Sequence, residues 1–336
     1  MKALYSDGQL SLRQVADPRP AAGEALIRVI LAGICGTDLE LLKGYSSFRG
    51  IPGPEFVGEV VECDTVSWRG KRVVGEINVT CGACEWCRRR LGRHCSRRTV
   101  MGIINRPGAF AEYVTLPVAN LHEVPSSVPD EAAVFTEPLA AAAEILEQRP
   151  IAAGTQVAVL GSGRLGLLAA QVLSHAGARV TIIGRREGKL ALARSWGLST
   201  FCMRPAGAAG EITGAAAAVV NQGRELSFPV VVEATGSPSG LEEALRLVEP
   251  RGTIVMKSTF HAPAHFDTAK LVVDEITLLG SRCGNFRTAL DLLSHGAIQV
   301  TELISRVFAL EHGVEAFRYV HQPSCLKVLL SNNVSD

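Results

Sequence analysis

The sequence predicts an α/β protein with two domains, one rich in β-strands and one built on a doubly wound parallel sheet. At 336 residues the chain is longer than a single hydrophobic core usually supports. Apolar, β-branched runs bounded by Gly and Pro predominate up to about residue 116, and from about residue 139 strand-like and helix-like segments alternate. Such alternation is typical of strand–helix–strand units in a parallel sheet.

The β-rich part contains several segments that predict strands, because β-branched and aromatic residues recur in them at short spacing. They are ALIRVILAGIC (25–35), FVGEVVEC (56–63), KRVVGEINV (71–79) and GAFAEYVTL (108–116). A helix-like segment, LAAAAEILEQ (139–148), then leads into the second part of the chain.

In the second part, strands and helices are expected in turn. The predicted strands are QVAVLG (156–161), ARVTIIG (178–184), PVVVEATG (229–236), TIVMKST (253–259) and ITLLGS (276–281), and the predicted helices are GLLAAQVLSHAG (166–177), EGKLALARSWG (187–197) and GLEEALRLVEPRG (240–252). The Ala/Gly-rich stretch 206–224 predicts a weak helix between loops. Because the alternation stops at about residue 283, we expect residues 1–138 and 283–336 to form one domain and residues 139–282 the other.

Composition and charge exclude several classes of protein. The net charge is +1, so the chain has no general electrostatic attraction to nucleic acid or to an anionic membrane. It has 47% apolar residues, as a globular protein does, and no apolar run approaches the roughly 18–20 residues of a spanning helix. The start, MKALYSDGQL, lacks the apolar core of a signal peptide, so we expect a cytoplasmic protein whose nine cysteines are thiols or metal ligands.

A glycine-rich turn follows the strand that ends at Leu160. In VAVLGSGRLG, Gly161 would make the tight turn, Gly163 would let the backbone approach a pyrophosphate, and Gly166 would allow close contact between strand and helix. The N–H groups at the start of the helix would bind the phosphates. This turn predicts a dinucleotide-binding Rossmann domain, and its contacts would include the intervening residues Ser162, Arg164 and Leu165.

The end of the next strand indicates which dinucleotide is bound. A site specific for NAD normally has Asp or Glu there, because a carboxylate accepts from the ribose 2′-hydroxyl. This chain has Gly184 followed by Arg185 and Arg186, with Lys189 one turn later. Guanidinium groups suit a 2′-phosphate, so the prediction is NADP(H), and the alternative is a solvated basic start of a helix.

Four cysteines with the spacing C-x2-C-x2-C-x7-C predict a metal site in residues 81–95. Four thiolates, from Cys81, Cys84, Cys87 and Cys95, close a tetrahedral shell around zinc and leave no open position, so one structural zinc per chain is expected. An iron–sulfur cluster is the alternative, since spacing alone does not separate the two. Six nearby arginines would offset the charge of the thiolates. Few aromatic residues stand between these arginines, so they do not favour a nucleic-acid-binding surface.

The order of these motifs resembles that of the zinc-containing medium-chain dehydrogenase/reductase (alcohol dehydrogenase-like) superfamily, over essentially the whole chain. The resemblance rests on the cysteine lobe, the glycine turn, GICGTDLE (33–40), GPEFVGEV (53–60), TEPLA (136–140) and VVEATGS (231–237). It implies a GroES-like catalytic domain, a Rossmann cofactor domain, and assembly as a homodimer or homotetramer.

The resemblance also implies the residues of a reaction site. Cys35, Glu55 and Glu137 match positions that ligate or lie beside a catalytic zinc, and Thr37 matches the hydroxyl that carries the proton of the substrate oxygen. Glu40 stands where many members have a His that continues a proton relay, so that relay is altered or absent here.

Residue 54 departs from the family pattern. The family has Gly-His-Glu, in which the His binds zinc, and this chain has Gly53-Pro54-Glu55, in which proline has no atom to give a metal. Two interpretations stay open. Cys35, Glu55 and Glu137 are three ligands, enough for a catalytic zinc completed by water; alternatively the site holds no metal and Cys35 is a free thiol.

Further cofactor contacts follow from the resemblance alone. The loop that faces the nicotinamide ring corresponds to Ala234, Thr235 and Gly236, and the end of the next strand to Lys257 and Ser258. Lys327 falls where a basic residue commonly reaches the pyrophosphate, and the alternative for Lys327 is a solvated lysine at the end of a strand.

These features together predict an oxidoreductase that moves a hydride between NADP(H) and an alcohol or carbonyl carbon of a small molecule. Glu137 favours a polyol or sugar-like substrate, on family resemblance alone. One alternative, favoured by Pro54, is a reductase of an activated C=C bond without catalytic zinc. Another is a catalytically silent NADP(H)-binding protein.

Overall fold

The computed structural model describes residues 1–43, 48–203, 211–212, 226–259, 263 and 266–332. The chain divides into two compact units, Met1–Glu137 with Phe286–Asp336, and Pro138–Asn285. Among the described residues, no helix is both long and apolar enough to cross a bilayer.

The strands of the described residues are numbered here in chain order. They are β1 Lys2–Ser6, β2 Leu10–Gln14, β3 Glu24–Gly33, β4 Glu55–Cys63, β5 Arg72–Gly75, β6 Asn78–Val79, β7 Thr99–Met101, β8 Asn105–Arg106, β9 Tyr113–Pro117, β10 Leu121–Glu123, β11 Gln156–Leu160, β12 Arg179–Gly184, β13 Ser199–Cys202, β14 Glu211–Ile212, β15 Phe228–Glu233, β16 Val248–Met256, β17 Thr277–Gly280, β18 Ile304–Ala309 and β19 Lys327–Ser331.

The α-helices of the same residues are numbered in the same way. They are α1 Gly36–Leu42, α2 Glu85–Arg88, α3 Asp130–Ala133, α4 Thr136–Gln148, α5 Arg164–His175, α6 Glu187–Ser195, α7 Ser239–Leu247, α8 Thr268–Val273, α9 Phe286–Ser294 and α10 Gly313–Tyr319.

The first unit is built around a largely antiparallel sheet with the strand order β10-β5-β4-β3-β19-β18, and β9 also pairs with β3. The long strand β3 alternates between buried and half-buried residues along most of its length, as a strand with one face on the core does. The C-terminal strand β19 pairs antiparallel with β3, with Leu329 opposite Gly33. The β-rich, GroES-like first domain is therefore confirmed.

The second unit contains six parallel strands in the order β13-β12-β11-β15-β16-β17, and the short strand β14 pairs antiparallel with β13. Strands β11, β12 and β15 are buried along nearly their whole length because helices cover both faces of a doubly wound sheet. The prediction of a Rossmann sheet is confirmed. Chain order reverses between β11 and β15, and ligands of such sheets bind at this reversal, outside the carboxyl ends of the strands.

Three predicted boundaries were wrong. The segment 108–116 is a strand only from Tyr113, because residues 108–110 donate their backbone N–H groups to the loop 51–53. The segment 71–79 divides into β5 and β6, which belong to different sheets. The helix predicted to reach residue 252 ends at Leu247, and β16 begins at the next residue. The weak helix predicted for 206–224 lies outside the described residues, apart from 211–212 in β14.

Candidate cofactor and reaction sites

The glycine turn lies between β11 and α5, and two of its glycines are required by close contacts. Gly161 has φ +114°, and a Cβ there would lie 2.5 Å from the carbonyl oxygen of Ala234. A Cβ on Gly166 would lie 2.0 Å from the carbonyl oxygen of Gly161. Gly163 caps the helix and faces open space, with no heavy atom of the described residues within 4 Å of its would-be Cβ. A ligand could therefore approach the backbone at Gly163 and the first N–H groups of α5.

A cavity of about 310 Å³ opens beside this turn at the carboxyl ends of β11, β12 and β15. It brings together most of the residues predicted from the glycine turn, from the end of β12 and from the loop after β15. Its lining includes Gly161, Ser162, Gly163, Gly184, Arg185, Arg186, Lys189, Ala234 and Thr235. Ser237, Ser239, Gly240 and Glu243 also line it and were not predicted. Of these, Ser239, Gly240 and Glu243 lie in helix α7, which follows the loop after β15.

The end of β12 is shaped to exclude a side chain at position 184. A Cβ on Gly184 would lie 2.5 Å from Ser162 Oγ and 3.1 Å from Leu190 Cδ2. No carboxylate side chain therefore stands at this end of the strand. The side chains of Arg185 and Arg186 are exposed, and Lys189 is half-buried in the first turn of α6. Three basic side chains therefore line the cavity beside the end of β12.

The loop after β15 is held by a buried glutamate. Glu233, fully buried, accepts hydrogen bonds from Thr235 N (2.8 Å) and Thr235 Oγ1 (2.6 Å). Gly236, with φ +71°, donates its N–H to Ser258 Oγ at 2.8 Å. Thr235, Gly236 and Ser258 thus form one connected surface, and Glu233 is a positioning residue that sequence reasoning missed.

Lys257 has a different environment from the one expected. Its buried ammonium donates to the carbonyl oxygen of Ala141 (2.6 Å), to Ser281 Oγ (3.1 Å) and to the carbonyl oxygen of Arg282 (3.0 Å). These acceptors match the three donors of an ammonium group. The side chain of Lys257 therefore ties together backbone segments of its own unit.

The predicted reaction-site residues of the first unit begin at α1, where Cys35 is the N-cap and is 8% exposed. Asp38, fully buried, accepts from the backbone N–H of Cys35 (2.8 Å) and from that of Gly53 (3.2 Å). Burial raises the pKa of Asp38 to about 6, because the charged carboxylate is disfavoured away from water. Asp38 joins the turn at Cys35 to the loop before Glu55, and its spacing from Cys35 is that of a capping box, a signal that could have identified it. Thr37 is half-buried in the first turn of α1.

The largest departure from the predicted site concerns Lys327. The sequence resemblance placed it at a pyrophosphate, but its ammonium is completely buried and pairs with Glu55 Oε2, and it also donates to the carbonyl oxygen of Ile34 at 3.2 Å. Burial lowers the pKa of Lys327 to about 8. Gly33 makes room for the pair, since a Cβ there would lie 2.7 Å from both Glu55 Oε2 and Lys327 Cε. The predicted contact of Lys327 with the pyrophosphate is therefore replaced by an ion pair with Glu55 inside the same unit.

Glu40 and Glu137 complete the residues expected at this site. Glu40 forms an ion pair with Lys43 at 2.8 Å on the same helix, and Glu137 is half-buried in the first turn of α4. Across the part of the chain that the structure describes, Cys35, Glu55 and Glu137 do not form a group whose ligand atoms lie within 4.8 Å of one another.

The four lobe cysteines do form such a group. All four Sγ atoms lie within 4.8 Å of one another, with separations of 3.4 Å for Cys84–Cys87 and 3.5 Å for Cys95–Cys81. Tetrahedral zinc with Zn–S bonds of about 2.3 Å requires sulfur separations of about 3.8 Å, so the lobe fits one zinc ion. Backbone N–H groups of Ala83 and Cys84 lower the pKa of Cys81 to about 6, and the Arg97 guanidinium lies 3.3 Å from its sulfur. Both effects favour the thiolate that binds metal.

Comparisons with known proteins match these two units. The alcohol dehydrogenase GroES-like domain family matches residues 21–126, and the zinc-binding dehydrogenase family matches residues 165–295. L-threonine 3-dehydrogenase of Saccharopolyspora erythraea is 33% identical over 335 residues, which cover 96% of this chain and 95% of that protein. The structure of short chain alcohol dehydrogenase rspB from Escherichia coli CFT073, complexed with NADH, is 28% identical with a TM-score of 0.88, covering 98% of this chain and 99% of that one. A zinc-binding dehydrogenase from Sinorhizobium meliloti 1021, bound to NADP, is 31% identical with a TM-score of 0.86 and covers 98% of each chain.

Proposed function

Because this chain belongs to the family of zinc-containing medium-chain dehydrogenases, we propose that it transfers a hydride between NADP(H) and the carbinol or carbonyl carbon of a small alcohol or ketone. The chain is an alcohol dehydrogenase-like oxidoreductase; the preference for NADP(H), the substrate class and the residue roles are the proposal. We assign cofactor binding to the unit Pro138–Asn285 and the substrate chemistry to the unit that contains Cys35 and Thr37.

The observation that carries the cofactor proposal is the cationic end of β12. NADP differs from NAD by a 2′-phosphate, and an NAD site uses a carboxylate where this chain has Gly184 and no space for a side chain. Arg185, Arg186 and Lys189 line the same cavity, and guanidinium groups bind phosphate through paired N–H donors. These three residues would hold the 2′-phosphate, and the N–H groups at the start of α5 would hold the pyrophosphate.

NADP(H), when bound, supplies or accepts the hydride. The chain itself must position the cofactor and move the accompanying proton. Glu233 holds the loop at Thr235, and Ser258 holds Gly236, so this loop is fixed before any ligand arrives. The Thr37 hydroxyl would relay a proton from water to the substrate oxygen in reduction, taking up one proton as it gives up another, and would relay it back to water in oxidation.

The substrate proposal is a secondary alcohol and its ketone, with polyols and hydroxylated amino acids as the first compounds to test. It is supported by Glu137, on family resemblance, and by similarity to L-threonine 3-dehydrogenase. A second candidate, reduction of an activated C=C bond, is favoured by Pro54 and by the pairing of Glu55 with Lys327, both of which argue against a metal that would polarise a carbonyl.

The cofactor proposal is tested by titrating the wild type and the Arg185→Ala/Arg186→Ala variant with NADPH and NADH, following nicotinamide fluorescence. Each charged hydrogen bond contributes about 1.5–3 kcal/mol, so the Kd for NADPH should rise about 10- to 100-fold while that for NADH changes less than about threefold. Arg179→Ala, at the exposed beginning of the same strand, is the matched control. Equal losses for both cofactors would refute the 2′-phosphate assignment.

The substrate proposal is tested by following NADPH consumption or formation with ketones, polyols, threonine and enones. Turnover of alcohols and ketones alone supports the first candidate, and turnover of enones alone supports the second.

We also propose that the enzyme is a homodimer. Strand β17 is an edge strand in which Leu278 is 43% exposed, and Val272 and Val273 of the preceding helix, α8, are 77% and 78% exposed. An apolar edge strand has N–H and C=O groups without partners along its outer side, and these pair readily with another strand. A second copy related by a twofold axis would present the same strand antiparallel to the first.

A further inference from the structure

The loop around Pro54 raises the question of how many metal ions this chain holds. The family resemblance implies a zinc at the reaction site as well as one in the cysteine lobe, and proline takes the place of the imidazole ligand. Whether a second metal fits depends on the carboxylates near Pro54, which are Glu55, Asp38 and Glu40.

Glu55 is already neutralised by a cation of the protein. Its carboxylate is 3% exposed and pairs with the ammonium of Lys327, which is 0% exposed and is also bonded to the carbonyl oxygen of Ile34. The pair is built into three adjacent strands, since Gly33 of β3 lies opposite Glu55 of β4 and opposite Leu329 of β19. Zinc on the same carboxylate would stand close to a buried ammonium, and the two cations would repel each other where water cannot screen them.

No other described carboxylate of α1 replaces the lost ligand. Both oxygens of Asp38 accept backbone N–H groups, one from Cys35 and one from Gly53. Turning either oxygen toward a metal would leave a buried N–H without its acceptor, which costs free energy. Glu40 forms an ion pair with Lys43 on the same helix.

The count of ligands then falls below what a catalytic zinc needs. With Pro54 lacking a donor and Glu55 paired with Lys327, Cys35 and Glu137 are the two predicted ligands left, whereas catalytic zinc sites have three protein ligands. Within the described ranges, the four lobe cysteines are the one group of side chains with the geometry of a metal site.

We propose that this chain binds one zinc ion, in the cysteine lobe, and that its reaction site works without a metal, with Lys327 as the resident cation beside Glu55. Substrate activation then rests on hydrogen bonding by groups such as the Thr37 hydroxyl. The inference concerns metal content, which is measured separately from cofactor preference and from substrate turnover.

The first test is the zinc content of the untagged full-length protein, purified from zinc-supplemented culture and measured by elemental analysis. One zinc per chain is expected, and two would overturn the proposal. Cobalt titration of the metal-depleted protein gives a second readout, since tetrathiolate cobalt has its own absorption bands. Saturation after one equivalent is expected, and a second equivalent with a different spectrum would overturn the proposal.

The role of Pro54 is tested by restoring the missing donor. Pro54→His would add a third ligand to the two predicted ones, Cys35 and Glu137. Zinc content should therefore rise from one toward two ions per chain. Pro52→His, two residues earlier in the same buried loop, is the matched control and should stay at one. No gain in a folded Pro54→His protein, judged by circular dichroism and NADPH binding, would show that the proline does not keep the metal out and would overturn that part of the proposal.

Failure of this inference and failure of the proposed function are distinguishable. A chain with two zinc ions that still prefers NADPH overturns the first alone. A chain with one zinc that binds neither nicotinamide cofactor overturns the second alone.

Discussion

At the scale of single residues, the cofactor cavity depends on the fit between Gly184 and Ser162. Because a Cβ at residue 184 would lie 2.5 Å from Ser162 Oγ and 2.9 Å from Ser162 Cβ, one of the two residues must be small. Both line the cavity, so a movement of Ser162 would change its shape.

We therefore expect Gly184→Ala to weaken binding of NADPH and NADH alike, by about tenfold, as a steric shift of about 1–2 kcal/mol would do. Ser162→Gly alone should have little effect, and Ser162→Gly/Gly184→Ala should recover most of the lost affinity in fluorescence titrations. Failure of the double variant to recover would mean that the contact with Leu190, not the one with Ser162, is limiting.

The second residue-scale feature is the buried carboxyl of Asp38. Its pKa is about 6 in the folded protein because of burial, against an ordinary value of 3.8. Between these values the folded protein holds a proton that the unfolded chain has released. The contribution of Asp38 to the free energy of unfolding therefore falls as the pH rises from about 4 to about 6, by about 3 kcal/mol in total.

Urea denaturation at pH 7, 6 and 5 tests this sign. Relative to Asp38→Asn, which does not titrate, the wild type should gain stability as the pH falls toward 5. Asp64→Asn, which removes an exposed carboxylate, is the control, and the wild type should show no such gain relative to this variant. Parallel pH profiles for the wild type and Asp38→Asn would mean that Asp38 titrates normally.

At the scale of elements, the cysteine lobe has almost no core of its own. None of residues 81–94 is buried, helix α2 is four residues long, and Cys95 is the first buried residue of the lobe. A segment of this kind takes its folding free energy from the metal.

Removing zinc with a chelator should accordingly make the lobe sensitive to trypsin at Arg88, Arg89 and Arg90. Cleavage can be followed by mass spectrometry, and added zinc should restore protection. Arg185 and Arg186 are also exposed, so their cleavage rate serves as the internal control and should not change. Equal protection with and without metal would show that the lobe is held by the protein alone.

Prediction from sequence succeeded where one short segment contains its own signal. The apolar run before Gly161 and the glycines after it were enough to predict β11, the turn and α5. Prediction failed where contacts between distant segments decide. Val248 pairs with Phe228, so β16 begins before the Pro-Arg-Gly turn that looked like the end of a helix. Glu55 and Lys327 are 272 residues apart, and only the pairing of β4, β3 and β19 shows that they meet.

At the scale of the whole molecule, the proposed dimer can be tested at the edge strand β17. Leu278→Lys would put a charge at the centre of that edge, so the variant should sediment as a monomer while the wild type sediments as a dimer. Val66→Lys is the control, because Val66 is 70% exposed on the other unit and should leave assembly unchanged. A monomeric wild type, or a dimeric Leu278→Lys, would contradict the proposed interface.

The dependence of the cysteine lobe on zinc also has a consequence for the amount of this protein in a cell. An enzyme with a catalytic metal loses specific activity when the ion is scarce, while the amount of protein stays the same. Here the ion stabilises a poorly buried segment with six arginines between residues 88 and 98. In a chain made without zinc, this segment would be accessible to cellular proteases. In a zinc-starved cell we therefore expect fewer molecules of this enzyme, each fully active, so that nutrient supply sets its abundance and leaves its turnover number unchanged.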